Sequence, residues 1–282
     1  MNKEKIIGLI LMLIALSSVS ALALITFFIF VEGVPIIYKV GLFNFIFGMK
    51  WAPTKGFFGI FPMIVGSFEV TFGAMIFGVP LALACSIYLA EFASKKTRDI
   101  LKPAIEILAG IPSVVYGFIG MTVIIPFIRD HLGGSGFSVL GCSIVLGIMV
   151  LPTITSISFD AIRSVPKRYR EASLALGATK WQSVRMVVLP AARSGILAAV
   201  ILGMGRAIGE TMAVIMIAGN SLIIPVSPLE PVRTLTSNIA LEMGYASGDH
   251  RQALFATGVV LFVIIMALNT FASHVASRGV KR

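Results

Sequence analysis

The sequence predicts an all-α, polytopic membrane protein with six transmembrane helices. Three observations carry that expectation. The 282 residues are 57% hydrophobic and only 13% charged, with a mean hydropathy of +0.97, far too apolar for a water-soluble domain. Six apolar runs bounded by charge reach the roughly 20 residues that a hydrocarbon core of about 30 Å demands of a helix. The net charge of +10 is distributed by side rather than spread evenly. With the N-terminus placed inside, 16 of the 23 lysines and arginines fall in inside segments, six fall outside, and Arg206 alone lies in a span. This is the positive-inside asymmetry, so the basic composition implies no nucleic-acid partner. Both termini are expected to be cytoplasmic, in the cell membrane of a prokaryote.

The chain reads as one transmembrane domain over residues 1–282. Span one, about 6–31, follows "MNKEK"; its apolar run exceeds the roughly 7–15 residues of a signal-peptide core and no small-x-small cleavage site closes it, which predicts a retained helix. The outside segment that follows carries Trp51, expected at the membrane–water interface. Span two, about 60–91, holds Glu69. The short basic connection "ASKKTRD" leads to span three, about 104–128, where Pro112 predicts a kink and Gly110, Ser113, Gly117 and Gly120 permit close helix approach. "RDHLGGSG" turns the chain outside into span four, about 137–159. Glu106 and Asp160 fall near inner helix ends, where solvation explains them.

After an inside segment, 164–192, span five runs over about 194–218. The outer loop 219–250 is broken by Pro225, Pro228 and Pro231. "TLTSNIALEM" within it predicts a short amphipathic helix on Leu235, Ile239 and Met243, packed over the outer mouth. Span six covers about 252–275. Cys85 and Cys142 fall in spans as small apolar residues, and His131, His250 and His274 are widely separated, so neither a disulfide nor a metal site is expected.

The inside segment "SVPKRYREASLALGATKWQSVRMVVLPAARSG" is too patterned for a linker. Pro166 suits a first helical turn, with Ser164 as a candidate N-cap. The helix should run to about Leu176 and stop at Gly177 in the left-handed conformation. Thr179 and Gln182 then form a capping box that starts a second short helix, expected to end at Pro190. The side chains at the turn are small (Ala172, Ser173, Ala175, Ala178, Thr179), which suits either close approach of another protein or merely a tight turn.

At this point the residues acquire a resemblance. "EASLALGATKWQSVRMVVLP" is similar over its whole length to the EAA-x3-G-x9-I-x-L-P loop of ABC importer permeases, with Ser173 in place of the second alanine and Val187 in place of isoleucine. The resemblance implies the MetI-like transmembrane fold and a coupling helix that enters a groove on an ATP-binding subunit. Glu171, Ala172, Ser173, Gly177, Ala178, Leu189 and Pro190 are the residues it assigns to coupling. "AGIPSVVYGFIG", "GRAIGETMAVIMIAGN" and "RTLTSNIALEMGYASGDHRQALFATGVVLF" further resemble the PstC-type permease of the phosphate-specific importer; the PstA-type companion typically lacks the "GETMAV" continuation. That family implies a PstA-type second permease, two PstB-type ATP-binding subunits and an external PstS-type phosphate-binding protein as partners.

Charges inside the spans are the remaining signal. A charged side chain at a helix centre costs about 2.5–3.5 kcal/mol on insertion scales, so it should face protein or water and find a partner. Arg206 is placed near mid-membrane, and Glu210 follows at i+4, the spacing of an ion pair on one helix face. Glu69, roughly nine residues or about 13 Å from the outer end of span two, is expected at the depth of Glu210. Arg206, Glu210 and Glu69 are therefore the candidates for a translocation path or its gate. A guanidinium suits an oxyanion, two carboxylates beside it disfavour a tight anion site, and a structural ion pair fits the same residues.

The function expected is the permease subunit of an ATP-driven importer of inorganic phosphate. The chain has no G-x4-G-K-[ST] loop, so it is expected to be non-catalytic and to bind no cofactor, with ATP and Mg²⁺ held by the partner ATPase. Sulfate, molybdate or tungstate are alternative cargoes. An ATPase-independent secondary transporter using the three buried charges as a relay is a further alternative. A membrane enzyme is disfavoured, since no nucleophile with a base or metal set occurs at usable spacing.

Overall fold

A computed structural model describes residues 3–278; Lys281 and Arg282, counted above among the inside cations, lie outside the described residues. The chain begins with α1 (Lys3–Val40) and α2 (Leu42–Phe47), followed by a two-stranded hairpin, β1 (Trp51–Ala52) and β2 (Phe57–Phe58), with Trp51 opposite Phe58. Then come α3 (Phe61–Ile87), extended by a π turn over Tyr88–Phe92, α4 (Lys95–Ala109), α5 (Ser113–Ile119), a second π turn, and α6 (Ile125–His131). The rest is α7 (Val139–Ser164), α8 (Lys167–Ala175), α9 (Lys180–Ser183), a π turn over Val184–Val188, α10 (Leu189–Ile208), α11 (Met212–Ile217), α12 (Leu235–Glu242) and α13 (Gly248–Arg278).

Among the described residues, six helical stretches are long and apolar enough to cross a membrane: Ile7–Val40, Phe61–Phe92, Ser113–His131, Val139–Ser164, Lys180–Ile208 and Gly248–Phe271. The all-α, six-span expectation therefore holds, but three boundaries are corrected. Span one continues to Val40 with Pro35 inside it. Span three is not 104–128: the chain breaks at Gly110–Pro112, and 95–109 forms the separate helix α4. Pro112 cannot donate a backbone hydrogen bond and forces Ile111 away from helical geometry, while Ile105, Ile107 and Leu108 on α4 make the two pieces read as one apolar run. Tyr116 Oη donates to Leu108 O across the break at 2.8 Å. Span five starts earlier and ends sooner than 194–218. Pro190 does not end a helix; it occupies the first turn of α10, where a missing N–H is harmless, and the π turn before it keeps the helix continuous from Lys180.

Packing is tightest between α3 and α7. A Cβ on Gly73 would sit 2.1 Å from Ser143 Oγ, so the absence of a side chain sets that approach. In lipid there is little hydrophobic drive between helices, and close van der Waals contact of this kind holds the bundle. Its centre is a cluster including Val70, Ala74, Leu146, Met149, Ile154 and Ile217. A second cluster gathers Ile36, Phe45, Trp51, Met63, Leu235 and Leu254 at one end, called here the cap end. A third, with Leu89, Phe159, Ile162, Val188 and Ala192, lies at the opposite end, where α8 and α9 project, the loop end. Helix α1 packs mainly on α13 and otherwise exposes Leu11, Leu16, Leu22, Leu24 and Phe27, the surface of a lipid-facing helix.

Candidate coupling loop and membrane-embedded site

At the loop end, α7 stops at Ser164, Val165 is extended, and Pro166 rather than Ser164 is the N-cap of α8. Arg170 fixes this helix to the bundle. Its Nε and Nη2 both donate to Glu91 Oε1, at 2.9 and 2.6 Å, and its Nη1 and Nη2 reach Val165 O and Ile162 O at 2.6 and 2.8 Å. The two side chains are only 19% and 8% exposed. Glu91 belongs to the π turn that ends span two, so one guanidinium joins α8 to the loop-end termini of two spans. Sequence reasoning missed this pair, since an arginine in a basic loop and a glutamate at a span end each look solvated.

The turn has the predicted form. α8 ends at Ala175, Leu176 is 90% exposed, and Gly177 adopts φ +85° with nothing within 4 Å of where a Cβ would stand. The capping box is present: Thr179 N–H donates to Gln182 Oε1 at 2.8 Å, and Gln182 N–H donates to Thr179 Oγ1 at 3.3 Å. Glu171, Ala172 and Gly177 are exposed, and Leu174, Trp181 and Met186 add apolar side chains to the same projecting element. Ser173 faces inward; its Oγ donates to Ser183 Oγ at 2.5 Å and ties α8 to α9. Leu189 and Pro190 lie beyond the turn at the start of α10, with Leu189 packed on the loop-end cluster.

Within the membrane, the predicted Arg206–Glu210 pair is not formed. Helix α10 ends at Ile208, so the i,i+4 geometry that the pair requires does not extend to Glu210. Arg206 Nη1 donates instead to Thr153 Oγ1 of α7 at 3.0 Å. Glu210 Oε1 accepts the Ala213 N–H at 3.1 Å, capping the first turn of α11. Nor does Glu69 join Arg206: it faces a cavity against α7 and the Pro225–Pro228 segment. The half-buried Arg206 makes a single side-chain hydrogen bond among the described residues. Two interrupted spans thus meet in the membrane, α5 after the Gly110–Pro112 break and α11 after the Gly209–Thr211 break. Their approach uses the predicted small residues: a Cβ on Gly117 would stand 2.7 Å from Met216 Sδ, and one on Gly120 2.4 Å from Ile217 Cδ1.

The cap end closes over this region. Helix α12 forms on the predicted residues, and its Thr234 is capped reciprocally with Ser237. It is far more buried than a surface helix: Thr234, Leu235, Thr236, Ser237 and Asn238 all lie inside. Thr236 Oγ1 donates to the main-chain O of Glu210 at 2.7 Å, and Leu235 N–H donates to Ser67 Oγ at 3.0 Å. Arg233 Nη1 donates to Glu242 Oε1 at 2.7 Å and to Asn238 Oδ1 at 3.0 Å, while Glu242 Oε2 pairs with both Trp51 Nε1 and His250 Nε2 at 2.8 Å. Trp51 is therefore not an interfacial side chain; it is buried, because its indole N–H is needed by Glu242.

The chain as a whole is similar to known transport proteins. The family model described as "binding-protein-dependent transport system inner membrane component" matches residues 78–281. The chain is 42% identical over 271 residues to the probable ABC transporter permease protein YqgH of Bacillus subtilis strain 168, covering 94% of this chain and 88% of that one. It is 36% identical over 249 residues to the phosphate transport system permease protein PstC of Xylella fastidiosa strain 9a5c, covering 81% and 77%. With PstC 1 of Mycobacterium tuberculosis strain H37Rv, identity is 34% over 255 residues, covering 82% and 74%. Among solved structures, the fold is similar to a chain of the inward-facing MetNI methionine ABC transporter, with a TM-score of 0.59 at 20% identity over 83% of this chain and 98% of that one. A chain of a bacterial alginate ABC transporter gives a TM-score of 0.62 at 16% identity over 95% of each.

Proposed function

Because the chain belongs to the binding-protein-dependent transport system inner membrane component family, we propose that it is the membrane-spanning permease subunit of an ATP-driven importer whose cargo is inorganic phosphate. The observation that carries the cargo is the identity of about one residue in three, over most of the chain, to PstC permeases from several bacteria. The machine is supported by the loop: a projecting helix–turn–helix, rigidly tied to the bundle through Arg170 and Glu91, with a small-residue turn and the exposed Leu176 at its tip.

In this reading the partners are a PstA-type permease, two PstB-type ATP-binding subunits and a PstS-type phosphate-binding protein. The loop end lies in the cytoplasm with both termini, and the cap end faces outward. ATP and Mg²⁺ belong to the ATP-binding subunits, and this chain is non-catalytic. The α8–α9 turn, with Glu171, Ala172, Gly177 and Ala178, docks on the ATPase. Ser173 braces the turn, and Leu189 and Pro190 carry its motion into span five.

Arg206 is the residue assigned to the passing oxyanion. Its guanidinium is held by Thr153 and is not neutralised by Glu210, which leaves its other N–H donors uncommitted among the described residues. Glu210 shapes the path by capping α11 beside it, and Thr236 holds the same break from the cap, so the cap and the break would move together as a gate.

The test is radiolabelled phosphate uptake in phosphate-starved cells with and without the gene, challenged by excess sulfate and by ATP depletion. Loss of an ATP-dependent, sulfate-insensitive component is expected. Unchanged phosphate uptake in a host without redundant importers would leave the permease and remove phosphate as its cargo.

A further inference from the structure

Glu69 is a membrane-embedded charge that neither site explains. It lies on α3 eight residues from Phe61, about 12 Å along the helix at 1.5 Å per residue. Its Oε2 is buried and has no hydrogen-bond partner. The carboxylate looks into a cavity of about 350 Å³ walled by Phe72 and Phe77 of α3, Leu140 and Ser143 of α7, and the Pro225–Pro228 segment of the cap. Two hydroxyls stand in that wall and neither donates to Glu69: Ser143 Oγ donates to Val139 O at 2.8 Å, and Ser227 Oγ accepts the Leu229 N–H at 3.3 Å. A carboxylate oxygen buried without a donor is costly, and a donor brought from outside the chain would satisfy it.

The rim says what kind of molecule brings it. Ile223 and Val226 on the cap are 77% and 94% exposed, and Phe72 and Ile76 continue this apolar surface down α3. The cap segment is held in place, with Val226 N–H donating to Glu230 Oε2 at 2.8 Å. Acyl chains could cover the phenylalanine and isoleucine but have no donor for Glu69. An oxyanion would be repelled by it. A protein helix carrying a lysine or arginine satisfies both demands, the apolar rim and the buried acid.

We propose that this face, formed by α3, the start of α7 and the Pro225–Pro228 segment, receives a second and non-identical permease subunit, which inserts a basic side chain against Glu69. This rests on the reading above that the chain works beside a second permease. An isologous pair of this chain would set the patch against itself, and the residues lining the cavity include no cation to offer in return.

The experiment places the photo-crosslinking amino acid p-benzoylphenylalanine at Phe72 in the full importer in its native membrane and identifies adducts by mass spectrometry. An adduct with the second permease is expected, and Glu69→Ala should lower its yield about tenfold or more, as for loss of one partner of a buried ion pair. Adducts with lipid, with the external binding protein or with another copy of this chain, in place of the second permease, overturn the proposal, as does an undiminished yield with Glu69→Ala. Phosphate uptake by the same cells separates the two readings. A second-permease adduct without phosphate uptake keeps the interface and removes the cargo, and uptake without that adduct removes the interface alone.

Discussion

Arg170 and Glu91, separated by 79 residues, meet with Nη2 and Oε1 2.6 Å apart and nearly shut off from solvent. The pair is the joint between the projecting loop and span two. Arg170→Met strands Glu91 without its guanidinium, which for a buried pair costs about 3–5 kcal/mol. A lowered melting temperature of the purified complex is expected, together with ATP hydrolysis no longer stimulated by substrate. Arg170→Met combined with Glu91→Leu should recover most of the stability but not the stimulation, because an apolar pair fills the space without aiming α8. Full stimulation in the double variant would refute the joint.

Gly177→Arg acts at an exposed turn with open space around the Cβ position and φ +85°. A non-glycine residue in this conformation costs about 1–2 kcal/mol, too little to unfold the subunit. In the proposed docking of the ATP-binding subunit, the added side chain would stand where that partner comes closest. Expected is normal membrane insertion with loss of the co-purifying ATP-binding subunit. Gly177→Ala separates strain from bulk and should retain most binding.

Arg206→Gln should reduce phosphate uptake about tenfold or more, the equivalent of losing a charge-assisted hydrogen bond worth about 1.5–3 kcal/mol, with little change in subunit stability. Since Arg206 bonds Thr153 and Glu210 caps Ala213, the exchange Arg206→Glu with Glu210→Arg should not restore uptake. Recovery in that exchange would show that the two charges do pair during transport.

Arg233→Met removes the guanidinium that holds Glu242 alongside Trp51 and His250 and that also donates to Asn238. The side chains of Arg233 and Glu242 are 15% and 10% exposed, and the loss is expected to cost about 3 kcal/mol, confined to the cap. In a Trp181→Phe background, Trp51 fluorescence should shift to the red, and protease with access to the cap end of the purified protein should cut within 219–250 faster than in the parent. An unchanged Trp51 spectrum would mean that the cap does not depend on this arginine.

The amino-acid pattern by itself determined the all-α class, the six spans and the helix–turn–helix of the loop. Each of these is local: apolar run length against membrane thickness, a glycine where the backbone must turn left-handed, and Thr179 with Gln182 three residues on. The family resemblance was legible in the same loop, because its twenty residues keep their spacing through two conservative exchanges. Tertiary structure decided the partners of the buried charges among the described residues. Arg206 and Glu210 lie at helical spacing, yet the helix breaks between them at Gly209, and a periodicity argument assumes the continuity that the break removes. Glu91, Arg170, Arg233 and Glu242 look like solvated ends in one dimension. They become buried joints only because the folded chain brings each within hydrogen-bond reach of a residue, or of a carbonyl, supplied by another element, and water is excluded around the contact.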